Sequence, residues 1–399
     1  MVLGSQIPSI TYPMSLYYSG KAYGIRYIRG SLTIDPGVWD EADNKFLAND
    51  LFGLTYERRL PTEGESRRDK WDNYLGRIWD GLKEKRAAVQ ICQGWVNVTE
   101  TENHTVIGPE GEIPWWEGMQ SRPDMHYLTA VGMIKGGSEE GMILNDPIAG
   151  WFGVERDLWV PQSYFELMIK KCRLDQHRYI TIVYYYPRAH LPVDPIEANS
   201  NRKVESRITA KIRGESWTYE DAQTWQEFMG EEWEGEIIYG ANGLYYLHYD
   251  LEDPNFKTAL LAREFNIEMS PLDTVSYLDL SLYHYAEILN VGAEFLEEQD
   301  RREEWEWTLK LHILYKRMWI STSYIRDVFK QHYLPEPSDD ALDAAVAESE
   351  AYRATLRSTI DETIEHLLTY EGCSDLVIPS ASLPLLQVHP GLSHDGPRP

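Results

Sequence analysis

Cysteine is scarce in this chain. Cys92, Cys172 and Cys373 are spread over 399 residues without any CxxC spacing, which excludes a disulfide framework and a thiolate zinc site. Long apolar runs are missing too: nothing approaches the about 18 consecutive apolar residues of a spanning helix. The opening MVLGSQIPSITYP has no charged segment leading into an apolar one, so no secretory signal is expected and a reducing cytoplasm is the expected location. Positive charge is the third deficit. Lys and Arg number 38 against 64 Asp and Glu, a formal net charge of −26. Neither nucleic acid nor an anionic membrane is therefore expected as the main partner, because both need a basic footprint. The same balance suits a cationic substrate such as an amino sugar, a polyamine or a basic peptide, and equally a plain solvated acidic surface.

Aromatic residues are abundant, with 26 Tyr and 14 Trp. The patterning predicts an α+β protein: an N-terminal domain with an antiparallel sheet over 1–190, a Pro- and Asn-rich linker over 191–203, a mixed then mainly helical domain over 204–372, and a tail over 373–399. YSGKAYGIRYIRG, residues 18–30, reads as a short helix ending at Gly30. Trp71, Tyr74, Leu75, Ile78, Trp79 and Leu82 recur at helical spacing, which predicts an amphipathic helix over 69–86. HYLTAVGMI (126–134) and GMILNDP (141–147) flank a turn-rich segment and predict a β-hairpin. Residues 161–172 read as a helix, 179–187 as a strand, and 219–229 and 244–251 as helices. From about Leu272 to Tyr370 three long antiparallel helices are expected, broken at QDRRE and LPEPSDD, with Leu309, Ile313, Met318 and Ile325 turned inward.

One constellation carries chemistry. His126 opens a strand, and Asp146, followed by Pro147, closes the next. Hairpin ends can face each other, and a carboxylate beside an imidazole holds the tautomer and orientation that a general base needs. Such a base needs a nucleophile, usually at an exposed helix N-terminus whose dipole lowers a thiol pKa. The first helix candidate begins at Ser19-Gly20-Lys21-Ala22.

These motifs and their order over roughly residues 10–187 resemble the papain-like cysteine peptidases of the bacteriocin-processing, double-glycine-leader type. They resemble more closely the acyltransferase family of butirosin biosynthesis protein H. In that group the nucleophile lies in a Cys-Gly-Pro-Ala-like stretch that opens a helix. The base opens a strand, as in His126-Tyr-Leu-Thr-Ala-Val-Gly132, and the orienting Asp closes the next in Asp-Pro, as in Asp146-Pro147. The resemblance implies a papain-like fold, acyl transfer, amide-bond formation or hydrolysis without cofactor or metal, and an acyl-carrier protein or small amine as partner. Ser19 stands where the family has Cys, and Tyr12 and Pro13 occupy the neighbourhood of the usual oxyanion-hole Gln. Ser19 is then a true nucleophile, a natural loss in an inactive relative that binds or scaffolds, or a Cys replaced by design.

Each residue also has a structural reading: His126 as a strand cap, Asp146 as a turn residue, Ser19 as an N-cap, Cys92 as a buried strand thiol. Trp115, Trp116 and Trp151, with Phe152, fall in loops beside the His and Asp strands, where they wall a substrate groove or cover the sheet edge. His284, Glu287, His312, Glu362 and His366 lack the paired Glu-x-x-His of a di-metal site and read as solvated helix faces. Gly-rich segments at 135–137 and 240–243 are turns, lacking the Lys and Ser or Thr of a phosphate loop.

Overall fold

Alternating apolar runs give strands and three-and-four spacing gives helices, so the chain is a mixture of α and β. The structure, a computed structural model, describes residues 17–35, 43, 45–59, 76–83, 88–93, 106–108, 111–113, 126–134, 140–146, 155–165, 182–187, 198–215, 237–261, 270–334 and 337–378. By internal packing it divides into two units. One comprises Met1–Ser15 and Asn44–Glu197; the other comprises Leu16–Asp43 and Ala198–Pro399.

The helix expected over 18–30 does not form. A helical turn at 17–19 passes into a 3-10 turn, Lys21–Tyr23, and then into strand β1 (Arg26–Ile28), which pairs antiparallel with β2 (Thr33–Asp35). Gly20 at φ 66° breaks the first turn. Gly24 then brings the backbone so close to a later helix that a Cβ there would lie 2.7 Å from the Lys211 carbonyl oxygen. A continuous helix bearing side chains cannot make that approach.

The sheet unit holds β3 (Leu54–Arg59), β4 (Ala88–Gln93), β5 (Val106–Gly108), β6 (Gly111–Ile113), β7 (His126–Ile134), β8 (Gly141–Asp146), β9 (Glu155–Pro161) and β10 (Ile182–Pro187). They form one eight-stranded sheet in the order β3-β10-β4-β7-β8-β9-β5-β6, antiparallel throughout. Its described core includes Leu54, Ala130, Met142, Leu144, Leu158, Val160 and Phe165, with Leu47, Leu51 and Ile78 from short helical segments. Residues 76–83 are helical, within the expected amphipathic segment. The expected helix at 219–229, most of that at 161–172 and the tail beyond 378 lie outside the described residues.

The second unit continues with α1 (Ala198–Arg213), β11 (Ile237–Tyr239), α2 (Ala241–Asp250), α3 (Asn255–Leu260), α4 (Pro271–Glu298), α5 (Arg302–Tyr333), α6 (Asp339–Glu348) and α7 (Glu350–Leu368). α1 begins inside the stretch expected to be linker. β11 completes a three-stranded sheet by pairing antiparallel with β1, Tyr27 opposite Ile238. Asp250 fastens this sheet to α2: its Oδ2 accepts from the Tyr27 hydroxyl at 2.5 Å and the Gly30 N–H at 2.8 Å. Burial holds the Asp250 carboxyl above its ordinary pKa against those two donors.

α4 starts at a capping box, with Ser270 Oγ accepting the Asp273 N–H, the Asp273 carboxylate accepting the Ser270 N–H, and Pro271 in the first turn. α5 packs on α4 and α7, and turns inward Leu311, Tyr315, Met318, Thr322, Ile325 and Phe329, all buried, with Tyr315 stacked on Tyr285 of α4. Met318 and Ile325 face inward as expected, but Leu309 is half-buried and Ile313 is 49% exposed. Two residues turn a helix by about 200°, so Ile313 lies opposite Leu311. The third expected helix is two, α6 and α7, parted at Ser349, whose hydroxyl donates to the Val346 carbonyl at 3.0 Å instead of leaving it to the helix ladder.

Candidate functional site

The β7–β8 hairpin sits in the middle of the large sheet, with β4 beyond β7 and β9 beyond β8. An extra residue between Ala130 and Gly132 shifts the register, and the last paired positions are Thr129 and Asn145. Asp146 is one residue beyond that pair on β8, and His126 is three residues beyond it on β7. The expected base and its expected orienter therefore occupy neighbouring strands at the same end of one hairpin. Only the strand placement of these two residues is described, and the positions of Trp115, Trp116 and Trp151 lie outside the described residues.

Strand pairing also places two residues that the sequence reading missed. Gln93 of β4 is in register with His126, and Glu155 of β9 with Asp146. Gln93 and Glu155 lie 33 and 9 residues away in sequence from their partners. Only the β4–β7 and β8–β9 pairings reveal them. Cys92 is in register with Tyr127, one position from the His126 pair.

Ser19 belongs to the other unit. It is 3% exposed, and its Oγ accepts the Lys21 N–H at 3.2 Å across the break between the two helical turns. An aromatic cluster surrounds this turn. Tyr17 packs on Tyr18, Tyr23 and Phe295 at ring separations of 5.3, 6.4 and 5.9 Å, with the Arg301 guanidinium 5.4 Å above its ring. Burial pushes the Tyr17 and Tyr23 hydroxyls well above the usual phenol range, so both stay protonated. Tyr23 hydrogen-bonds Thr308 of α5 at 3.0 Å and stacks obliquely on Trp307 at 5.8 Å.

The helical histidines are not solvated, contrary to the sequence reading. His284, His312 and His366 are all buried. His312 donates through Nδ1 to the Ala286 carbonyl at 2.8 Å, and His366 donates through Nε2 to the Trp307 carbonyl at 2.9 Å. These bonds to a neighbouring helix turn the rings inward, which a helical wheel cannot foresee. Among the described residues no group of three or more His, Cys, Asp or Glu is placed to hold a metal ion, and no helix is long and apolar enough to cross a membrane.

His366 has a measurable consequence. Burial lowers its pKa below the ordinary 6.5. The unfolded chain then takes up a proton more readily than the folded one, so stability is complete above pH 6.5 and falls as the pH drops through that value. The unfolding free energy of the wild type is expected to decline between pH 6.5 and 5 more steeply than that of His366→Gln. Parallel curves from chemical denaturation at stepped pH would refute the assignment.

Comparison with known proteins adds no kinship: no family model matches the chain, and a search of curated proteins returns no match.

Proposed function

We propose that this chain is a papain-like acyl-transfer protein acting in the cytoplasm, with His126 as general base, Asp146 as its orienter and Ser19 at the nucleophile position. The register of the β7–β8 hairpin is the observation that supports it. Diagonal positions on adjacent antiparallel strands lie about 7–8 Å apart between Cα atoms, within the combined reach of an imidazole and a carboxylate. In this reading His126 takes the proton of the attacking hydroxyl or thiol as it adds to a substrate carbonyl. The imidazolium, held by Asp146, then returns that proton to the leaving group. Amide formation, acyl transfer or hydrolysis differ only in which acceptor next attacks the acyl intermediate. Trp115, Trp116 and Trp151 would wall the substrate, a small molecule or peptide, and an acyl-carrier protein is the proposed donor. Ser19 enters on the sequence resemblance alone.

A second reading, a peptidase-like binding or scaffold protein without catalysis, is favoured by Ser19 itself. A buried hydroxyl that already accepts a backbone N–H is a poor nucleophile, and serine must lose its proton during attack.

Alkylation of Ser19→Cys by iodoacetamide across pH separates the two. A thiol served by His126 is expected to label at least about tenfold faster at pH 6.5 than in Ser19→Cys/His126→Ala, because its pKa falls below the ~8.5 of free cysteine. Cys373 is an internal slow reference, since burial pushes its thiol up to about 11. Labelling of the introduced thiol that matches Cys373, or ignores His126, would leave the scaffold reading.

A further inference from the structure

The outer face of α5 differs in charge from the rest of the chain. Acidic residues fill 64 of 399 positions, about one in six, yet none lies between Trp307 and Arg326, where Lys310, Lys316, Arg317 and Arg326 all fall. Two of these cations are matched by carboxylates of the chain itself, Arg317 at the surface and Arg326 against a buried acid. Arg317 donates to both oxygens of Glu362 on α7, at 2.5 and 3.0 Å, and Arg326 pairs with the buried Asp279 of α4. Lys310 and Lys316 are exposed on either side of Ile313. Along the same face Ile313, Ile320 and Tyr324 are 49%, 43% and 52% exposed, at spacings of seven and four residues. Flanking rings hold the stripe in place: Trp319 lies 5.0 Å from Tyr283 of α4, and Tyr324 stacks on Tyr352 of α7 at 5.1 Å. A seam of large apolar side chains at helical period, fixed by its neighbours and left in water, is the form of a helix-docking face.

We propose that this face docks an acidic amphipathic helix of a partner protein. Its apolar residues lie along Ile313, Ile320 and Tyr324, and its carboxylates meet Lys310 and Lys316. Charge complementarity selects this occupant. A basic helix would meet the lysines with like charge, and a second copy docked by the same face would set Lys310 and Lys316 against their own counterparts. The carboxylate beside Lys310, that of Glu362, is engaged on both oxygens by Arg317, and acidic groups more than about 8–10 Å from the face are screened at physiological salt, so the two lysines govern docking. The inference is independent of the acyl-transfer reading.

The test uses the full chain and a fluorescein-labelled synthetic helix of about 18 residues, Leu at three-and-four spacing with flanking Glu, beside a counterpart carrying Lys for every Glu. Fluorescence anisotropy is expected to show the acidic peptide binding at least about tenfold tighter than the basic one, more weakly as salt rises. Lys310→Glu/Lys316→Glu and Ile320→Ser are each expected to weaken it about tenfold with unchanged circular dichroism. Equal or tighter binding of the basic peptide would overturn the proposal, as would affinities indifferent to these substitutions. So would sedimentation showing self-association that Ile320→Ser abolishes, because the occupant would then be a second copy.

Discussion

Arg353→Ala is expected to lower the unfolding free energy of the helical unit by about 3–5 kcal/mol. Arg353 is fully buried, and its guanidinium closes three pieces of chain on one another. Nη1 donates to the carbonyl of Leu251, just past the end of α2, at 3.0 Å, and Nη2 donates to the Val346 carbonyl in the last turns of α6 at 3.0 Å. Asp253 accepts from both nitrogens at 3.1 and 3.3 Å, Glu350 pairs at 2.6 Å, and the ring of Phe256 lies 4.4 Å beneath the cation. The two carboxylates are 58% and 46% exposed, so they rehydrate when the cation is removed. The loss therefore comes from the stranded Leu251 carbonyl, at about 1–3 kcal/mol, from the weakened bonding of the Val346 carbonyl, which keeps the Ser349 hydroxyl, and from the space left over Phe256. Urea denaturation followed by far-ultraviolet circular dichroism reads it. Arg353→Lys keeps the charge but not the fork, and should fall between. A midpoint for Arg353→Ala within error of wild type would refute this account.

Gly240→Ala should cost about 4 kcal/mol or prevent the unit from accumulating folded, whereas Gly292→Ala should stabilise it by up to about 1 kcal/mol. Gly240 joins β11 to α2 at φ 67° and ψ −147°, a region that essentially only glycine occupies. A Cβ there would stand 2.2 Å from the Ile212 carbonyl oxygen and 2.8 Å from that of Lys211, both backbone atoms of α1 that cannot swing aside. Relief would also strain the bond from the Gly240 N–H to the Ile25 carbonyl at 2.9 Å, which ties the junction to the strand edge. A Cβ on Gly292, inside α4, would meet nothing within 4 Å beyond its own helical turn, so alanine there gains helix propensity without a clash. Thermal melts of the two variants should move in opposite directions. Equal shifts would refute the conformational argument.

What the sequence disclosed follows the range of the forces involved. The α4 and α5 helices and the β7–β8 hairpin are local patterns, stated by spacing and by turn residues within one window. β1 was misread because its pairing partner β11 lies roughly 200 residues away. The 18–30 segment, taken alone, carries Gly20, Gly24 and Gly30 at intervals that also suit a helix end. Ile313 reads as inward because it is apolar, while the phase of the buried stripe is set by Leu311, Tyr315, Met318, Thr322, Ile325 and Phe329, whose partners lie on other elements. Arg353 and the inward turn of His312 and His366 were invisible for the same reason: their partners are carbonyls on other helices or other turns of chain. At the candidate site, His126 and Asp146 were legible as strand ends, and Gln93 and Glu155 were not, because they arrive only through sheet pairing.

The pairing of β1 with β11 has a consequence for synthesis. A ribosome delivers Arg26–Asp35 early, then the whole of Asn44–Glu197, and only later Ile237–Tyr239. At about 5–20 residues per second, the β1–β2 ribbon waits roughly 10–40 seconds for the strand that covers its edge. A two-stranded ribbon is marginal alone, and its open edge is a template for any other extended chain. On a crowded polysome the nearest such chain is the neighbouring nascent copy, whose own Ile237–Tyr239 fits that edge as well as the one still to come.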